Sequence, residues 1–131
     1  MPASCLYDYA IVRVVPRVDR GEFVNVGVIV ACMAQRYLKA RIELDETRVL
    51  ALDPGADLPS LREALDAIPA ICEGGPAAGA LGRLSMRERF DWLIAPRSAS
   101  VQTSPVHIGR CTDLDIAMEK LLQKMVRRPV P

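Results

Sequence analysis

The chain has 131 residues, half of them hydrophobic and a quarter charged, with 17 Lys+Arg against 16 Asp+Glu. That composition fits one folded domain over residues 1–131 and excludes a disordered or low-complexity chain. A net charge of +1 argues against a protein that coats nucleic acid or binds an anionic membrane, since both need a basic excess.

The N-terminus, MPASCLYDYA, shows no basic region followed by an apolar one, so no secretory signal is visible. Residues 6–15, LYDYAIVRVV, are β-branched and aromatic and read as the first strand. PRVDRGE follows, with Pro16 and Gly21, as a connection between antiparallel strands. Residues 23–33 make the second strand. A period of two puts Val24, Val26, Val28, Val30 and Cys32 on one face, with Asn25, Gly27, Ile29 and Ala31 on the other. Both faces are largely apolar, which predicts a central strand covered on both sides. This apolar run is also far short of the roughly 20 residues a membrane-spanning helix needs. Tyr37–Leu44 alternates cleanly and predicts a half-exposed strand, with Leu38, Ala40, Ile42 and Leu44 inward.

The period then changes. Leu58, Leu61, Leu65, Ile68 and Cys72 form one helical stripe, capped by Asp57 or Ser60, and Pro69 should kink or end the helix. Residues 73–84, EGGPAAGALGRL, hold four glycines and Pro76 and read as a flexible loop. Ser85 and Glu88 make a capping box that opens a short helix, with Met86, Phe90, Leu93 and Ile94 on its packing side. Pro96 stops it. Val101, Val106 and Ile108 around Pro105 predict one broken or edge strand. Thr112 or Asp113 starts a last helix with Leu114, Met118, Leu121, Leu122 and Met125 as its stripe, and residues 127–131 should fray. Strands first and helices after predict an α+β fold: a small, mainly antiparallel sheet of three N-terminal strands and a later edge strand, packed with about three helices.

Cys5, Cys32, Cys72 and Cys111 include no close pair, which argues against zinc and for reduced thiols in a cytoplasmic protein. Phosphate-loop, dinucleotide and nucleophile-elbow signatures are missing, so no motif implies a cofactor or a metal.

Two segments could carry chemistry. The first holds Arg13, Arg17, Asp19, Arg20, Glu22 and Asn25. Arg13 sits among Ile11, Val12, Val14 and Val15, and a guanidinium there needs a carboxylate or carbonyl partner. The competing reading is a solvated turn with one structural ion pair. The second segment holds Arg97, Ser98, Gln102 and Ser104-Pro-Val-His107. A fixed Arg-Ser pair can hold a phosphate or carboxylate, and His107 is the one histidine of the chain. It reads equally as an acid–base or anion-binding group and as a hydrogen-bonded strand residue.

At these segments the chain resembles the bacterial family called domain of unknown function 3037. The resemblance is carried by Arg20, Gly21, Glu22, Phe23, Asn25, Val26, Gly27 and Val28, paired with Pro96, Arg97, Ser98, Ser104, Pro105, Val106, His107 and Gly109. It implies a partner, since members are often encoded beside a HipA-like kinase. Two functions stand open. One is an accessory or binding domain, acting with such a kinase or recognising an anionic group through Arg13, Arg20, Asn25, Arg97, Ser98 and Gln102. The other is a small enzyme with Glu22 and His107 in acid–base roles. A nucleic-acid regulator ranks last. Residues 83–131 carry 9 Lys+Arg and 5 acids, but no interleaved aromatics and no helix-turn-helix. Self-association stays open.

Overall fold

The computed structural model describes residues 3–130. Strands β1 (Cys5–Val14), β2 (Val24–Cys32) and β3 (Tyr37–Ile42) are followed by helices α1 (Glu46–Leu52), α2 (Leu58–Glu73) and α3 (Met86–Ile94). Strands β4 (Val101–Thr103) and β5 (His107–Cys111) come next, then α4 (Leu114–Leu121), which continues into a π-helical turn, Leu122–Val126. The sheet is antiparallel throughout, in the order β3-β2-β1-β4, and β5 also pairs with β1. The fold is therefore α+β. Instead of one late edge strand there are two, laid end to end along β1. Pro105 cannot donate to the ladder, so pairing stops at Thr103 and resumes at His107.

Both faces of the sheet are covered. On one, α1, α2 and α3 bring Val49, Leu61, Leu65, Ile68, Phe90 and Leu93 against Val12, Val14, Ile29 and Leu38. On the other, Ala117, Met118, Leu122 and Val126 pack on Tyr7, Ile11, Val28 and Val30. This split corrects the face expected for β2. Val24 and Val26 belong to the α2 side, whereas Val28, Val30 and Cys32 belong to the α4 side. The cause is a β-bulge, at which Val12 pairs with Gly27 but Arg13 pairs with Asn25. One extra residue on β2 reverses the side-chain alternation beyond it. Gly27 permits this, because a Cβ there would sit 2.6 Å from Ile42 Cδ1 and 2.7 Å from the Arg41 carbonyl oxygen.

Asp57, Ser85 and Asp113 cap α2, α3 and α4 through their side-chain oxygens, the second as a full capping box. Helix α1, capped by Asp45, adds to the three expected helices. Pro69 does not end α2, which runs on to Glu73 with Ile71 and Cys72 buried. Within residues 73–84, expected as a flexible loop, Pro76–Arg83 winds into 3-10 turns. Gly74 and Gly75 take positive φ there, and Gly82 leaves no room for a Cβ beside the Gly75 carbonyl. The start of the tail is tied down: Arg127 bonds Glu43 and Glu119, and Arg128 bonds Asp45. Pro131 lies outside the described residues. No helix among the described residues is long and apolar enough to cross a membrane.

Candidate functional site

Strand β1 brings the two candidate segments together. Its C-terminal half pairs with β2 on one side and β4 on the other, so that Arg13 faces Asn25 and Gln102 in register. Its N-terminal half pairs with β5, placing Tyr9 beside His107. The connection that follows β1 is stitched to the one that precedes β4 by the bond from Val15 N–H to the Ser100 carbonyl, 2.7 Å.

Several residues of the two segments pack at this junction. Ser104 is buried. Its Oγ accepts the Ile11 N–H at 2.8 Å where the edge strand is interrupted. Gly109 lies beneath the Tyr7 ring, whose Cζ would be 2.3 Å from a Cβ at that position. Asn25 Nδ2 donates to the Met125 carbonyl at 2.9 Å, satisfying an acceptor in the π-helical turn. Arg13 has neither the carboxylate nor the carbonyl partner expected for it. It stacks on Phe23, with Cζ 4.2 Å from the ring centroid, and its buried Nε has no hydrogen-bond partner among the described residues. Asn25 Oδ1, beside it in register, is likewise unpaired.

Of the remaining candidates Arg20, Glu22, Ser98 and His107 are exposed, whereas Gln102 is half-buried and lines one groove together with Arg97. Arg20 and Glu22 pair with each other at 2.5 Å in the β1–β2 connection. Gln102 Nε2 bonds the Ala99 carbonyl. Ser98 is exposed, and no hydrogen bond involves its side chain among the described residues. His107 is exposed, its ring 5.4 Å from that of Tyr9. Glu22 and His107 do not meet. Glu22 leads into β2, whose Val24 pairs with Val14, while His107 pairs with Tyr9 on the other side of β1. From Tyr9 to Val14 the strand advances about 16 Å.

Arg97 sits differently. Its Nη2 donates to the Trp92 carbonyl at 2.5 Å and its Cζ lies 4.4 Å over the Trp92 ring. Both residues stand at the mouth of a groove of about 630 Å³ between α2 and β4. Sequence reasoning missed this groove. Its wall is apolar: Leu61, Ile68 and Ile71 of α2, with the small Ala64 and Ala67 holding the helix surface back from Val101. The carboxylates that line it are already occupied. Asp57 takes the Ser60 N–H and hydroxyl, which hold its carboxyl below the usual range, and Asp53 takes the Gly55 N–H. Arg97 has used one of its five donors, so it is the charged group of the lining that still offers free hydrogen-bond donors. A volume of this size is typical of pockets for small ligands or for short segments of a partner. Among the described residues no group of three His, Cys, Asp or Glu is placed to hold a metal.

The chain matches the family described as "Protein of unknown function (DUF3037)" over residues 9–126. The chain belongs to this family. No curated protein and no solved structure matches it. The DUF3037 match therefore spans the whole sheet from Tyr9 onward, both candidate segments and the groove, and it attaches no activity to them.

Proposed function

We propose that the chain is a non-catalytic binding domain whose α2–β4 groove takes an apolar segment bearing an anionic group. The observation that carries this reading is the groove itself. An apolar wall of about 630 Å³ ends at Arg97, the one charged side chain of its lining that is not held by a helix cap or a turn. The apolar wall supplies affinity by desolvation, and the guanidinium fork supplies orientation toward a carboxylate or phosphate. The HipA-like kinase implied by the family resemblance is the proposed partner, presenting an acidic, otherwise apolar segment. The acid–base reading draws no support from the geometry, because Glu22 and His107 lie at separate places along β1.

Co-expression with a neighbouring HipA-like kinase tests this directly. Ala64 is exposed on α2 and lines the groove, so Ala64→Arg fills the groove without touching the core. Retention of the kinase should be lost in Ala64→Arg and weakened in the Arg20→Ala, Arg97→Ala double variant, with the thermal midpoint of both unchanged. Undiminished retention by both variants would overturn the proposal.

A further inference from the structure

We propose that β5 pairs edge to edge, antiparallel, with β5 of a second copy of the chain, joining two five-stranded sheets into one. The inference does not rest on the groove and concerns the other end of the sheet. It starts from which backbone groups are free. Ile11 and Val15 direct their N–H and C=O toward the β4–β5 side: Ser104 N–H bonds the Ile11 carbonyl at 2.8 Å, and Val15 N–H bonds Ser100. By alternation Tyr9, Tyr7 and Cys5 do the same, and their partners are His107, Gly109 and Cys111. The N–H and C=O of Ile108 and Arg110 therefore point outward, on an edge that no strand among the described residues covers.

Two such strands related by a two-fold axis at Gly109 place Ile108 opposite Arg110 of the second copy. Each of these two pairs exchanges both of its backbone bonds, giving four hydrogen bonds in all. Gly109 of the two copies then meets at the close, non-bonded pair, where the lack of a side chain suits an approach of about 4.5 Å.

The side chains agree with this register. Ile108 is 71% exposed and Leu6 56% exposed, and neither joins the core on either side of the sheet. Asp8 pairs with Ile108 and Leu6 with Arg110, so both rows project on one face. Across the dimer each row reads Asp8, Ile108, Arg110 of the second copy, Leu6 of the second copy. The arginine stem then lies over Ile108 while its head reaches Asp8, two strands or about 10 Å away. Among the described residues Asp8 has no ion pair within its own chain, and Arg110 reaches only the exposed Ser4 hydroxyl. The same strand pair thus supplies apolar area, acid and base to itself, which singles out a second copy over an unrelated strand. On the opposite face His107 of the second copy falls opposite Cys111, beside a shallow groove bounded by Tyr7, Ile116 and Leu121.

Sedimentation velocity over a concentration series, in reducing buffer so that Cys111 cannot cross-link, should show a reversible monomer–dimer equilibrium. Ile108→Lys and Arg110→Asp should each weaken association about tenfold or more, and Asp8→Arg combined with Arg110→Asp should restore most of the loss. All three side chains altered are half-buried or exposed, and circular dichroism confirms that each variant is folded. A wild-type chain that stays monomeric at every concentration would overturn the proposal. So would a dimer indifferent to Ile108→Lys, and a charge swap that fails to rescue would overturn this register.

Discussion

Arg89 gives a sharp quantitative test of how the α2–α3 corner is built. Its side chain is 8% exposed within a helix whose other buried residues are Phe90 and Leu93. The guanidinium donates to three carbonyls: Cys72 at 2.5 Å, Ile71 at 2.9 Å and Leu84 at 3.2 Å. Two of these belong to the last turn of α2, where carbonyls have no partner within the helix. Arg89→Met keeps most of the stem and removes the donors. Each charge-assisted bond contributes about 1.5–3 kcal/mol, but the native state also bears the cost of desolvating the guanidinium, which the methionine avoids. Ile71 and Cys72 are buried, so water cannot fully replace the lost donors at their carbonyls. The expected net loss is about 3 kcal/mol, read as a lower urea midpoint at unchanged slope. Arg87→Met, which breaks the exposed pair with Asp91, is the control and should cost about 0.5 kcal/mol or less. A loss below about 1 kcal/mol in Arg89→Met would refute the role assigned to this residue.

Other outcomes follow from the same reasoning. Ser104→Ala orphans the buried Ile11 N–H and should cost about 1–3 kcal/mol, against near-zero for Ser98→Ala in the same denaturation assay. The Arg127 guanidinium holds Glu43 and Glu119 below the usual carboxylate range. Their contribution is complete above the unfolded value of 4.5 and is lost as pH falls through the lowered folded values. The stability gap between wild type and Arg127→Ala should therefore shrink on acidification below that point, whereas a gap independent of pH would contradict the pairing. Burial pushes the Cys72 thiol up to about 12, so a thiol reagent at neutral pH should modify Cys72 only on unfolding. Rapid labelling of the native chain there would show that α2 does not bury it.

The strands and helix caps were legible because they are local. A β-branched and aromatic run marks β1, alternation marks β3, and Asp57, Asp113 and the Ser85–Glu88 pair mark helix starts that depend on three or four consecutive residues. The β2 bulge was not legible. VNVGVIVAC is apolar on both faces, so slipping by one residue costs nothing that composition reveals, and only the contact of Gly27 with Ile42 shows where the slip must fall. Gly74, Gly75 and Gly82 read as flexibility because the sequence does not show the tight 3-10 turns that demand them. Nothing local marks Arg89, since two of its three acceptors come from α2, 17 and 18 residues earlier. The groove was hidden for the same reason. Ala64 and Ala67 form a groove wall only because β4, more than 30 residues later, lies beside them. Of the candidate residues, Arg97 stayed at a cavity, Arg13 and Asn25 moved to the junction of sheet and π-helical turn, and Glu22 and His107 separated.

The most direct test of the binding reading is amide hydrogen exchange of the chain alone and in complex with the co-expressed HipA-like kinase. The account predicts new protection over Leu58–Glu73 and over residues 95–103, the two walls of the groove, and loss of that protection in Ala64→Arg. Protection confined to other surfaces, with both walls exchanging as in the free chain, would contradict it.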